Sequence, residues 1–306
     1  MAPDVALSAG RARPGVWLAF TGIYLIWGTT YFAIAILLRT IPPFVGACLR
    51  FLAAAGLMWL WVRVRGGQSL RGLPVARLAF NGVLLLGCGN GLTSWAQQGV
   101  PSGIAALLIA STPVPIMVLD WAFFSRRAPQ PQSLLGVLVG LGGVGLIVTH
   151  LHRLSGATRP LHVVALLSAM TAWSLGTLLA RGLVAPERVP AANCVQLLAG
   201  GSALALMATW SGEWQQFHPA QVTSGSWLAL LYLSVFGSVV ALGCYMWLLT
   251  QVPPQKATTY ALVNPLVALL LGALLLGERI SDLVLLAVAL ILAGVALVLF
   301  TPARRS

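Results

Sequence analysis

The sequence predicts an all-α membrane protein. Ten transmembrane helices form two inverted-topology five-helix repeats, with both termini cytoplasmic. Three observations carry that prediction. Apolar residues fill 58% of the 306 positions and charged residues only 8%, against roughly a quarter charged in an ordinary soluble domain. The apolar residues fall in runs of about 20, the length an α-helix needs to cross a bilayer. The second half of the chain also repeats residues of the first. This balance excludes a soluble globular enzyme, a disordered chain and a nucleic-acid module.

The spans follow in order. Arg11 and Arg13 precede the first run, 16–38. It is as long as a full span and lacks a small-residue cleavage site, so it reads as a first transmembrane helix and not a removed signal peptide. Pro42-Pro43 separates it from 43–63, and the basic stretch Arg63 to Arg77, with Pro74, leads into 74–96. Val100-Pro101 opens 101–123, and runs at 133–149, 161–181, 190–211 and 226–250 follow. Pro253-Pro254 then divides off 255–276, and 282–301 comes last. Proline and glycine mark these breaks because they interrupt the helical hydrogen-bond ladder. The predicted organisation is a cytoplasmic tail 1–15, a first repeat 16–150, a second inverted repeat 160–301 and a tail 302–306. Loops this short leave no room for a soluble catalytic domain.

The net charge of +12 comes from 18 Lys+Arg against 6 Asp+Glu. With the N-terminus inside, thirteen basic residues fall on the cytoplasmic side, Arg63, Arg65, Arg71 and Arg77 among them. Four fall outside (Arg39, Arg153, Arg159 and Arg279), and Arg50 lies within a span. The basic excess therefore records orientation and contact with anionic lipid, and implies no nucleic-acid partner.

The repeat is read from fixed offsets. At 146, Trp27 meets Trp173 and Cys48 meets Cys194. At 152, Gly91 meets Gly243, Trp95 meets Trp247, Pro113 meets Pro265, Arg127 meets Arg279 and Gly142 meets Gly294. Five spans per repeat is an odd number, so the second copy enters the membrane upside down. The loop after span 2 carries four arginines, while its counterpart after span 7 carries only Glu213. Inverted repeats give two near-equivalent arrangements of one fold, the physical basis of alternating access, with substrate near the midplane.

Cys48, Cys88, Cys194 and Cys244 all lie in apolar runs without a CxxC neighbour and read as small buried side chains. His150, His152, His162 and His218 fall in or beside loops and read as solvated. No metal site and no cofactor are expected.

Several stretches together resemble a known family. They are WGTTYF at 27–32, IPPF at 41–44, LRF at 49–51, GIAALLIASTP at 103–113 and KATTYALVNPLVALLLGALLLGER at 256–279, with an AGVALVL run near the end. In this order, and with a 5+5 repeat, they resemble the EamA-type branch of the drug/metabolite transporter superfamily, within it most of all the YddG-type amino-acid exporters. The resemblance implies a multi-pass inner-membrane exporter of amino acids or related metabolites. The Gly-Glu-Arg at 277–279 matches the family pattern, but the first repeat has Ser125-Arg126-Arg127 at the equivalent place, without the glutamate.

Polar and aromatic residues on one helical face are the candidates for a substrate cavity. Tyr24, Trp27 and Tyr31 recur at i, i+3, i+7, and Asn90 and Thr93 lie on one face with Ser94 and Gln97. Lys256, Tyr260 and Asn264 recur at i, i+4, i+8, Trp173 shares a face with Thr177, and Tyr245 is the repeat equivalent of Thr93. The matched Trp95 and Trp247 complete the aromatic candidates. Trp59, Trp61, Trp210 and Trp214 lie near span ends and read as an interfacial belt. Arg50 is a cation well inside a span, a costly position that argues for a partner: helix carbonyls, lipid headgroups reached by snorkelling, or a substrate carboxylate. Pro113 and Pro265 are hinge or kink candidates. Span 5 carries a small-residue face from Gly136 to Gly140 suited to close helix packing, within the protomer or between copies.

The carboxylates are Asp4, Asp120, Glu187, Glu213, Glu278 and Asp282, and only Asp120 lies in a span, where it reads as facing the nearby Arg126 or water. With no central carboxylate, transport is expected to run without proton coupling. A nucleotide-sugar carrier of the same superfamily is the alternative, but it would want more cavity cations than Arg50 and Lys256. An intramembrane enzyme would need an acid/base or metal constellation in the membrane, and no HExxH, GxSxG or paired-Asp motif falls in a span. The expected partners are a small-molecule substrate and the lipid bilayer, and a monomer is compatible with the sequence.

Overall fold

The structure is a computed structural model that describes residues 14–65, 70–126, 128–154, 160–277 and 280–300. The two terminal tails, Arg127, Arg159, Glu278 and Arg279 lie outside the described residues, as do the side chains of His150, His152 and Arg153. Among the described residues the regular structure is helical. In chain order the helices are α1 (Pro14–Leu37), α2 (Pro43–Val64), α3 (Val75–Ala96), α4 (Ser102–Ser125) and α5 (Pro131–Leu154), then α6 (Pro160–Leu179), α7 (Pro186–Trp210), α8 (Ser224–Gln251), α9 (Tyr260–Leu276) and α10 (Asp282–Leu299). Seven of them, α1–α4 and α6–α8, are long and apolar enough to cross a membrane, and α5, α9 and α10 contain shorter apolar stretches. In lipid, helices keep every backbone group bonded within the segment.

The apolar runs of the sequence coincide with these helices to within a few residues, except at 255–276. There a separate turn at Pro254–Ala257 comes first, and α9 starts only at Tyr260. The two repeat-matched prolines also differ. Helix α4 stops at Ile109, unwinds through Ala110–Thr112 and restarts at Pro113. Pro265 sits inside an unbroken α9. Helices α3 and α8 carry wide π-helical stretches at nearly matching places, Val83–Asn90 and Leu233–Val240. Such stretches re-aim side chains and recur at functional sites.

The packing is built on exchange between α1–α5 and α6–α10. Helix α2 lies against α7, α4 against α9, and α5 against α10. Helix α1 packs on α8 and α9 as α6 packs on α3 and α4, and α2 meets α8 as α7 meets α3. The small-residue face of α5 packs within the chain. A Cβ added to Gly136 would lie 2.6 Å from the Gly294 carbonyl oxygen of α10, so only glycine permits this approach.

Side-chain bonds mark the two ends of the bundle. At one end the Thr40 hydroxyl donates to Ser226 Oγ at 2.8 Å. There Glu213, just after α7, accepts the backbone N–H groups of Phe44 (2.7 Å) and Val45 (3.1 Å) in the first turn of α2. The end of α7 thus meets the start of α2, so these two helices run antiparallel. At the other end Arg188 donates to the carbonyl of Arg71 at 2.7 Å. Also near that end, Arg181, in the turn just after α6, pairs with Asp120 of α4 at 2.9 Å. The sequence reading put Asp120 against Arg126. The structure corrects this, because α4 ends in a π turn with Arg126 left-handed beyond it, and the turn after α6 brings Arg181 alongside.

Candidate functional site

Between the two sets of helices lies a cavity of about 660 Å³, open mouth included. Eight of the twelve residues expected at a substrate site line it: Trp27, Tyr31, Arg50, Asn90, Thr93, Trp173, Tyr260 and Asn264. They come from α1, α2, α3, α6 and α9. The cavity extends from the middle of the bundle toward the Glu213 end, where Ile34 contributes to its wall.

Four aromatic rings form one wall. Trp27 packs against Trp173 (ring centroids 5.6 Å), Tyr245 (5.1 Å) and Tyr260 (4.9 Å). Tyr245 also packs on Trp173 and Tyr260. Trp27 and Trp173 are repeat equivalents, so their edge-to-face contact joins matched points of the two halves. The Trp27 indole donates to the Gly237 carbonyl at 3.1 Å. The buried Trp173 indole N–H lies beside the Tyr245 and Tyr260 hydroxyls, and the Asn264 side-chain oxygen has no hydrogen-bond partner among the described residues. Buried polar atoms are normally paired. Trp173 and Asn264 both line the cavity.

Arg50 is 4% exposed. Its Nε donates to Ser238 Oγ at 2.7 Å, and its guanidinium lies 4.7 Å from the Phe51 ring centroid. It does not snorkel to the surface. Gly237 makes room for it, since a Cβ there would stand 3.0 Å from the Arg50 terminal nitrogen. Among the described residues no carboxylate lines the cavity. The guanidinium therefore has no carboxylate beside it in the cavity wall, an arrangement suited to an anionic group.

The remaining four candidates lie elsewhere, each for a physical reason. Tyr24 is one turn nearer the Arg188 end than Trp27, and its hydroxyl bonds Thr259 Oγ1 at 2.7 Å. Trp95 stacks on His162 with centroids 4.7 Å apart. This corrects the reading of His162 as a solvated loop residue, because α6 already includes it. Trp247 lines a separate groove with Gly15 and Trp61. Tyr245 supports the aromatic wall from behind, with its hydroxyl on Thr177 at 2.8 Å. Lys256 is exposed away from the cavity. Trp59 and Trp61 project outward, each under an arginine, Arg63 and Arg65.

Sequence reasoning missed Ser238, Gly237 and Thr30. Thr30 lines the cavity with its hydroxyl turned back to the Trp27 carbonyl. A buried arginine demands a hydrogen-bond partner, but nothing in the chain says which of many serines supplies it. Glu213 was noted only as a loop charge, although it is 6% exposed and caps α2.

The EamA-like transporter family model matches twice, over residues 13–149 and 161–300. The inner membrane transporter YedA of Escherichia coli (strain K12), itself described as uncharacterized, is 36% identical over 92% of this chain and 89% of its own. Protein PagO of Salmonella typhimurium (strain LT2) is 28% identical over 94% of this chain and 93% of its own. A solved crystal structure superposes with a TM-score of 0.63 at 21% identity, covering 94% of this chain and 96% of the other, which supports the fold alone. The chain is a multi-pass protein of the inner membrane, and a transporter, not an enzyme. It belongs to the EamA-like transporter family.

Proposed function

We propose that this protein exports amino acids or related small metabolites by alternating access between two inverted five-helix halves. On this reading, with ten spans and both termini cytoplasmic, the Glu213 end faces outside and the Arg188 end inside. The antiparallel run of α2 and α7 supports the inversion, and the basic residues gathered at the Arg188 end support the orientation.

One observation carries the substrate reading. A single cavity is lined by a buried guanidinium with no carboxylate beside it among the described residues, and by Asn264, whose amide oxygen is unpaired there, next to aromatic faces. A carboxylate matches Arg50. An ammonium matches the Asn264 oxygen and the aromatic faces. An α-amino acid presents both groups. The lack of a cavity carboxylate supports transport driven by the solute gradient without a coupled proton.

Counterflow in proteoliposomes with labelled amino acids, sugar nucleotides and cationic drugs tests this. Saturable exchange of amino acids is expected. Exchange of sugar nucleotides alone replaces the substrate reading, and uphill accumulation driven by an imposed pH gradient overturns the uncoupled mechanism.

A further inference from the structure

The Thr177–Tyr245 hydrogen bond stands between two hollows. Along α6, Trp173 lines the central cavity and Ala180 lines a second hollow of about 310 Å³, with Thr177 between them. Along α8, Leu242 lines the cavity and Thr250 the second hollow, with Tyr245 between them. Thr177 and Tyr245 are each 0% exposed, and their hydroxyls meet at 2.8 Å. Beyond the bond, the second hollow contains Asn193, which is 1% exposed, with neither its amide nitrogen nor its oxygen hydrogen-bonded. A buried unpaired amide is unfavourable, and water entering that hollow would satisfy it.

The repeat maps this arrangement onto the other end. Tyr31 plus 146 is Thr177, and Thr93 plus 152 is Tyr245. The two residue types have changed places between the helices, and the pair is kept. Ile34 on the cavity wall is likewise the image of Ala180 in the second hollow, and Arg50 the image of Gln196. Tyr31 and Thr93 are not bonded to each other. Both line the cavity, and the Thr93 hydroxyl donates instead to the Gly89 carbonyl at 2.7 Å.

We propose that Thr177–Tyr245 and Tyr31–Thr93 are paired gates that close alternately. The first is closed in this structure, and the second closes when the cavity opens to the hollow around Asn193. The inference rests on the alternating-access reading above. Matched chemistry on the two sides is what a carrier requires, because one hydroxyl bond is exchanged for another and neither state is strongly favoured.

The test uses side-specific labelling. In a background with Cys48, Cys88, Cys194 and Cys244 replaced by alanine, single reporters Ala180→Cys and Ile34→Cys are labelled with a membrane-impermeant maleimide in everted and right-side-out vesicles. Tyr245→Phe keeps the ring against Trp27 and removes the hydroxyl. It should raise labelling at the Ala180→Cys reporter about five-fold and lower it at the Ile34→Cys reporter, the size expected for one buried hydrogen bond. Tyr31→Phe should do the reverse. Thr177→Val should reproduce Tyr245→Phe, and the double variant should add nothing further. Labelling unchanged by both tyrosine variants overturns the gates, as does a rise at both reporters together, which would mark a purely structural bond. The readout needs no substrate. Reciprocal shifts without exchange of any tested solute would leave the gates standing and sink the transport reading, and exchange without shifts would do the opposite.

Discussion

Arg50 of α2 donates to Ser238 of α8, and Gln196 of α7 donates to Asn81 of α3. The two bridges join equivalent helix pairs in the two halves, and their surroundings differ. Gln196 belongs to a closed chain: it donates at 2.6 Å to Asn81, which donates at 2.6 Å to the Gly176 carbonyl. Arg50 has a wall of the open cavity beside it. The neutral amide is held by another side chain at the edge of the smaller hollow, and the charge stands in the wall of the larger cavity. The same backbone frame thus supports an amide–amide tie on one side and the proposed binding group on the other.

Exchanging the two residue types is the strongest way to break this comparison. Gln196→Arg would put a full charge beside Asn81 and Met246 with no carboxylate among their described partners. A buried unpaired charge costs about 3 kcal/mol or more. Thermal unfolding of the purified protein in detergent should show a large loss of stability. A variant melting with the parent would mean that this side is as wet as the cavity, and the contrast would fall.

The reciprocal change, Arg50→Gln, should fold well, since an amide can still reach Ser238. It should raise the half-saturating amino-acid concentration in counterflow by about 10- to 100-fold, the value of roughly 1.5–3 kcal/mol for a charged hydrogen bond. A change below two-fold would remove Arg50 from substrate binding.

Much of this frame was legible in the sequence, because helix placement in lipid follows apolar length and proline breaks. The start of α9 was misjudged for a local reason. Lys256, Ala257 and the threonines that follow continue a helical pattern, yet Thr258-Thr259 unwinds before Tyr260. Periodicity identified Trp27, Tyr31, Asn90, Thr93, Tyr260 and Asn264 as one face apiece, and the structure brings those faces together. It could not rank residues along a face. Tyr24 and Trp27 share a stripe, but only depth decides that the first meets Thr259 and the second the cavity. Partners far apart in the chain, such as Arg50 with Ser238 or Asp120 with Arg181, depend on tertiary placement that spacing does not encode.

A smaller effect sharpens the inner bridge. Asn81→Ala removes the acceptor of Gln196 and leaves its amide with only the weak Met246 sulfur contact at 4.0 Å. The expected loss is about 1–3 kcal/mol of stability. Half-saturation in counterflow should stay near the parent value. Equal damage to affinity and stability would mean that the tie also shapes the cavity.

The smallest effect concerns the starts of the same two helices. Helix α2 is capped by the Glu213 carboxylate, whereas α7 begins with a 3₁₀ turn at Pro186–Arg188. Burial pushes the Glu213 carboxyl above its usual range, and the N–H groups of Phe44 and Val45 pull it back only in part. The folded protein therefore binds this proton more tightly than the unfolded chain. The stability so contributed is fully present below the unfolded carboxylate value, about 4.3. It is lost as pH rises through the raised folded value. Glu213→Gln keeps an acceptor for the α2 amides and cannot ionise. Melting curves of parent and variant should coincide at low pH, and the parent should fall below the variant as pH rises. The opposite divergence, with the parent gaining on the variant, would mean that attraction to the start of α2 outweighs burial, and that the charged cap is the main anchor of α2.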